Sequence, residues 1–164
     1  MVRAFLAVRL VPGVEAVDGD TYRRTITMAG APGLLEVSPG HENCLLLRAH
    51  LPYWEGLIHV VDQVGLLLGV ECDRPGLAVP GAWNRFEAGV SAILSGQPDR
   101  DRLLGAFVAR LGTPVPGLPE GLTHTFPEPA RVTPARLAPI GLGPAGASAI
   151  ALLAADRGVL GLAH

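Results

Sequence analysis

Over the first fifty residues, apolar and polar positions alternate in short runs divided by turn chemistry. Val14 to Val17 precedes Asp18-Gly19-Asp20, and Thr21 to Ala29 carries Tyr22, Arg24, Ile26 and Met28 on one face. Gly30-Ala31-Pro32-Gly33 then separates it from Leu34 to Val37, and Ser38-Pro39-Gly40 leads into Asn43 to His50. Successive side chains of a strand point to opposite faces, and Asp-Gly and Pro-Gly pairs favour tight turns, so the pattern predicts a meander of antiparallel hairpins. Ahead of it, Val2 to Val11 is apolar with Arg3 and Arg9 on it, and suits a strand or a short helix equally.

At Leu51 the period lengthens. Pro52 suits a first helical turn, and Trp54, Leu57, Ile58, Val61, Val64 and Leu68 recur at three and four residues while Glu55, His59 and Asp62 share the other side. The spacing predicts a helix laid on the sheet by that apolar stripe. From Asp73 onward the chain reads as helices joined by Pro/Gly-rich links. Ala82 to Leu94 has a core stripe of Phe86, Val90, Ile93 and Leu94. A second helix starts at Pro98, with Leu103, Leu104, Phe107, Val108 and Leu111 inward, Asp99 and Asp101 early and Arg110 late, as the helix dipole favours, and Gly112 ends it. Thr113 to Pro129, with five prolines, is a loop. Thr133-Pro134 caps a short turn, and Gly143-Pro144 opens a last helix to about Asp156. The fold class is α+β: a small antiparallel sheet covered by a helix over 1–72, then a helical lobe over 73–164.

A chain of 164 residues with 49% apolar and 17% charged positions can bury such a core. Its net charge of −2 lacks the basic excess of an autonomous nucleic-acid binder. Every basic residue is arginine, which reads as the codon bias of a high-GC bacterial genome. Cys44 and Cys72 have no CxxC partner and no His in metal spacing, so they read as buried thiols. Met1 to Val14 is too short and too interrupted by arginine for a signal peptide, and Leu57 to Val70 is broken by His59, Asp62 and Gln63, so a cytoplasmic protein is expected.

Candidate chemistry is sparse. Glu87 and Asp62 would serve as a general base only if buried beside a substrate, and Glu87 reads more naturally as a capping or packing residue. His41, His50, His59 and His124 show no HxH or HExxH spacing, so no metal site and no cofactor are implied. Ser95 and Ser148 lack a GxSxG elbow, and Gly141-Leu142-Gly143-Pro144 is followed by no lysine that would complete a phosphate cradle. Tyr53, Trp54 and Trp83 are aromatic candidates for either core or interface.

Several phrases together resemble the AlkA-type 3-methyladenine DNA glycosylases of the helix-hairpin-helix superfamily. They are Phe5-Leu6-Ala7-Val8-Arg9 ahead of Val14-Glu15, then Tyr22-Arg23-Arg24, Pro75-Gly76-Leu77-Ala78-Val79-Pro80-Gly81, Phe86-Glu87-Ala88-Gly89-Val90-Ser91-Ala92-Ile93-Leu94, Phe126-Pro127-Glu128-Pro129 and Ile140-Gly141-Leu142. The resemblance implies a first lobe built like half a TATA-binding protein and a helical second lobe, and it favours a helix for Val2 to Val11. It also exposes departures. The family's Pro-Gly-Ile-Gly hairpin and catalytic Asp would fall beyond His164, and the aromatic-rich leader ahead of the first helix has no counterpart. Where the family has a Gly-Gln turn and a wedge residue that enters the duplex, this chain has Gly96, Gln97 and Pro98 followed by Asp99, with about three residues deleted.

The expectation is a glycosylase-like protein without glycosylase activity of its own. Three roles remain open: the smaller subunit of a hetero-oligomeric enzyme, set in specialised metabolism; a non-catalytic module that recognises damaged DNA or gives self-resistance; and a freestanding enzyme with a small-molecule site between the lobes. The first is favoured by a mean hydropathy of +0.36 and by the last helix, which carries no charge from Pro144 to Ala155. It names a protein partner, homomeric or heteromeric, that would meet Tyr53, Trp54, Trp83, Ile150 and Leu153. Nucleic acid is expected to bind weakly or not at all, and no membrane is involved.

Overall fold

The structure, a computed structural model, describes residues 10–42, 44–69 and 81–156. Most of Val2 to Val11, Cys72 and the boundary expected at 72/73 lie outside the described residues.

Strands β1 (Glu15–Asp18), β2 (Thr21–Met28), β3 (Ala31–Pro39) and β4 (Leu45–His50) form one antiparallel sheet in sequence order. The meander is as the alternation predicts, but one turn is shifted. Met28 pairs with Ala31, so the β2–β3 connection is the two-residue Ala29-Gly30, both at positive φ (47° and 81°), while Pro32 and Gly33 already belong to the strand. Two left-handed residues in succession make the turn whose twist matches the flanking strands. The register Tyr22↔Val37↔Leu47 and Arg24↔Leu35↔Ala49 aligns one face of the sheet across three strands.

Helix α1 (Leu57–Leu68) covers that face. Val60, Val64 and Leu67 join Tyr22, Ile26, Leu35 and Val37 in one buried cluster. The stripe read from the sequence is only partly the buried one: Val64 and Leu68 pack on the sheet, whereas Trp54, Leu57, Ile58 and Val61 are exposed, and the helix begins five residues after Pro52. The physical reason is the width of the apolar arc. At about 100° per residue, apolar positions of α1 cover roughly half its circumference, and the sheet takes only the side of Val60, Val64 and Leu67. Gly69, left-handed at φ 64°, closes the helix.

The second cluster is helical. α2 (Arg85–Leu94), α3 (Arg100–Leu111), the short α4 (Pro134–Leu137) and α5 (Pro144–Ala155) bury Phe86, Val90, Leu94, Leu103, Leu104, Phe107, Val108, Leu111 and Ile150 together. All five α3 residues read as inward are in this core. Val11 and Val14, which precede β1, are in it as well, so the start of the sheet lobe is built into the helical lobe. The Pro-rich segment after α3 has no regular element but is partly buried: Leu122 bridges Gly13, the Thr123 amide donates to the Gly13 carbonyl at 2.8 Å, and Phe126 packs on Phe86 and Phe107. No described helix is long and apolar enough to cross a membrane.

Candidate functional site

The most concentrated polar chemistry lies where the two lobes meet. Arg24 projects from the inner face of β2, among apolar neighbours, and is almost fully buried. Its Nη1 donates to Glu15 Oε1 at 2.9 Å and its Nη2 to Glu87 Oε2 at 2.8 Å. The remaining carboxylate positions are also filled. Tyr22 donates its hydroxyl to Glu15 Oε1 (2.5 Å), the Val11 amide donates to Glu15 Oε2 (2.7 Å), and the Trp83 amide donates to Glu87 Oε1 (3.2 Å). The Trp83 ring lies 5.4 Å from the Arg24 guanidinium, within cation–π range. Glu87 is held in turn by its own helix start, since its amide donates to Oδ1 of the N-cap residue Asn84 at 2.9 Å.

Electrostatics follow from burial and from this pairing. Burial pushes the Glu87 carboxyl up from its ordinary value, with Arg24 opposing and Glu15 reinforcing the shift. Burial also pushes the Tyr22 phenol well above its ordinary value. For Arg24, burial works toward deprotonation, but Glu87, Tyr22 and Glu15 outweigh it and the guanidinium stays charged. Every oxygen of both carboxylates is occupied and the cluster is closed to solvent, so it offers a substrate no base. Its role is to brace β2 against α2. Glu87 thus takes the capping and packing role, and Asp62, the other candidate base, is exposed on α1.

The interface candidates separate. Tyr53 and Trp54 are exposed, Trp54 at 80%, and sit at the start of α1 beside exposed Leu57, Ile58 and Val61. Trp83 does not join them: it is half-buried, its carbonyl accepts from the Gln63 amide and its ring covers Arg24. Ile150 is fully buried, and Leu153 is half-buried against Gly89 of α2. Full burial within the chain corrects the interface assignment of Ile150. The uncharged helix α5 finds its neighbour within the chain, because Gly89 leaves room for Leu153 and lets the two helices approach closely.

Gly96, Gln97 and Pro98 form an exposed turn between α2 and α3, beside an open concavity lined by Ser95, Gln97, Pro98, Asp99, Arg100, Asp101 and Arg102. Its two arginines are neutralised locally, Arg102 Nη2 by Asp99 at 2.9 Å and Arg100 Nη1 by Asp101 at 2.5 Å. Cys44 is exposed, a correction to the expected buried thiol, because the β3–β4 loop carries it outside the sheet. Among the described residues no group of three His, Cys, Asp or Glu side chains could hold a metal ion.

Sequence reasoning missed the Glu15–Arg24–Glu87 cluster, although one signal was present. Arg24 falls in the apolar register of Tyr22, Ile26 and Met28, and a charge on a core face requires a buried partner.

Residues 1–74 match the AlkA N-terminal domain. Over that segment the sequence is similar to AlkA. It is 29% identical over 147 residues to the probable bifunctional transcriptional activator/DNA repair enzyme AlkA of Mycobacterium tuberculosis, in each of two strains, an alignment that covers 74% of this chain. It spans only 29% of the length of those relatives. A 3-methyladenine DNA glycosylase from Archaeoglobus fulgidus shares the fold, with a TM-score of 0.77 at 17% identity over 97% of this chain and 64% of that one. The α+β architecture, an antiparallel sheet with helices, is thus shared with that protein over nearly all of this chain.

Proposed function

We propose that this chain is a glycosylase-like subunit without glycosylase activity of its own, the smaller component of a hetero-oligomeric enzyme, and that it works through a protein partner. The observation that carries the reading is an exposed apolar surface on α1 and just ahead of it: Leu57, Ile58 and Val61 stand exposed on the helix, and Tyr53 and Trp54 stand exposed before its start. A run of large apolar side chains on one helix face is a feature of surfaces covered by another protein. Base excision by this chain alone has no such support. The turn at Gly96 to Pro98 is followed by Asp99 and Asp101, which pair with Arg102 and Arg100 and set two carboxylates where a phosphate backbone would approach.

The likeness to repair enzymes favours a second reading, in which the chain is one part of a base-excision assembly. One pair of measurements separates them. Purified chain incubated with alkylated duplex DNA is expected to release 3-methyladenine and 7-methylguanine no faster than the spontaneous rate, and light scattering after co-expression with its genomic neighbours is expected to show a heteromer. Base release abolished by mutation in this chain would establish the second reading. A monodisperse monomer that binds no neighbour would sink the first.

A further inference from the structure

Resting on that subunit reading, we propose that the exposed stripe of α1 docks an amphipathic helix of the partner whose apolar edge is flanked by lysine or arginine. Three observations lead there. The first is geometric. At about 100° per residue, Leu57, Ile58 and Val61 lie on an arc adjoining the sheet-facing Val60, Val64 and Leu67, with Gly65 and half-buried Leu68 continuing it. Tyr53 and Trp54, exposed just ahead of the helix, add apolar area, and α1 itself runs for roughly 18 Å at 1.5 Å per residue. That suits a partner helix presenting anchors at i, i+3, i+4 and i+7.

The second observation is charge. Between Tyr53 and Gly69 the only charged side chains are Glu55 and Asp62, both exposed, and no arginine occurs there. Among the described residues neither takes part in a hydrogen bond or ion pair, in contrast to Asp18, Glu36, Asp99 and Asp101. Unengaged acids beside an apolar strip complement cations on whatever covers it, and they set the partner's charge as well as its orientation. The third is what those acids exclude. A second copy of this chain would bring carboxylates against carboxylates, and an anionic lipid surface would be repelled.

The experiment uses the full chain and two synthetic amphipathic helical peptides with the same leucine face, one flanked by lysine and one by glutamate. Because Trp54 is 80% exposed, covering the stripe should shift its emission to the blue. The lysine-flanked peptide is expected to produce that shift and to bind at least about tenfold more tightly than the glutamate-flanked one. Trp54→Phe should lose the signal, Ile58→Asp should weaken both peptides, and the pair Glu55→Lys with Asp62→Lys should invert the preference. All are surface positions, and a thermal melt confirms that each variant is folded. Equal affinity for the two peptides, no binding of either, or a shift that needs only a higher concentration of the chain itself would overturn the proposal. A heteromer with a genomic neighbour that survives Ile58→Asp would remove this docking face and leave the subunit reading standing.

Discussion

Arg24 is the residue on which the inner architecture turns. One guanidinium answers two carboxylates from elements far apart in sequence, Glu15 on β1 and Glu87 on α2, in a setting almost without solvent. Removing one partner of a buried ion pair leaves an uncompensated charge, which costs about 3–5 kcal/mol. Arg24→Met is therefore expected to lower the unfolding free energy by about that amount in urea titration, and adding Glu87→Gln should cost less than the sum of the separate changes. Strict additivity with a loss below about 1 kcal/mol would show that the cluster behaves like a surface pair. On the other face of the sheet, Glu36 accepts from Arg23 at 2.9 Å and lies 3.4 Å from His50 and 3.7 Å from Arg48. The hydrogen bond from Arg23 leads in holding its carboxyl below the ordinary value, against a smaller opposing effect of burial. A lowered folded-state pKa contributes stability above the unfolded value of 4.5 that is lost as pH falls through the folded one. Thermal melts between pH 7 and pH 3 should show a shallower acid-side decline for Glu36→Gln than for the unmodified chain, and parallel curves would refute the assignment.

Among the elements, α2, α3 and α5 differ in how they use glycine. Gly112 ends α3 at an ordinary φ of −68°, so the left-handed cap that a terminal glycine suggests is absent. Space is what it supplies: an added Cβ would lie 2.4 Å from the Thr125 carbonyl oxygen and 2.5 Å from that of Val108. Backbone cannot swing aside as a side chain can, and Gly112→Ala should destabilise by about 1–3 kcal/mol or more, as overpacking does. At Gly89 the conflict is with the end of the Leu153 side chain, at 2.4 Å. That end can rotate, and alanine gains up to about 1 kcal/mol of helix propensity over glycine. Gly89→Ala should thus be close to neutral in melting temperature, whereas Gly112→Ala lowers it by several degrees. The reverse order would contradict the packing described.

For the whole molecule, a net charge of −2 and ion-paired arginines at the α2–α3 turn argue for weak binding to DNA. At physiological salt, anisotropy against undamaged duplex should give a dissociation constant of about 10⁻⁴ to 10⁻⁶ M or weaker, the range of non-specific association. Nanomolar binding would shift the function toward DNA recognition. The two lobes also share their first residues, since Val11 and Val14 lie in the helical core while β1 begins one residue later. Pairing of Thr25 Oγ1 with the His124 carbonyl at 2.6 Å ties the same corner from the other side.

Strand alternation and the three-and-four spacing of α3 are local properties, and they were legible: period two places Tyr22, Arg24 and Ile26 on one face whatever the sheet meets. The same holds for the five inward residues of α3, because its apolar arc is narrow and leaves one solution. For α1 and α5 the local pattern left the outcome open. A helix apolar over half its circumference, or around all of it, can seat on its neighbours in more than one rotation, and only the surface it meets chooses. The sheet chose Val60, Val64 and Leu67 of α1 and left Trp54 and Ile58 outside, while α2, through Gly89, received Leu153 of α5. The pairing of Arg24 with Glu87, 63 positions away, was likewise decided by tertiary contact, because a charge on a core face demands a partner without specifying which element brings it.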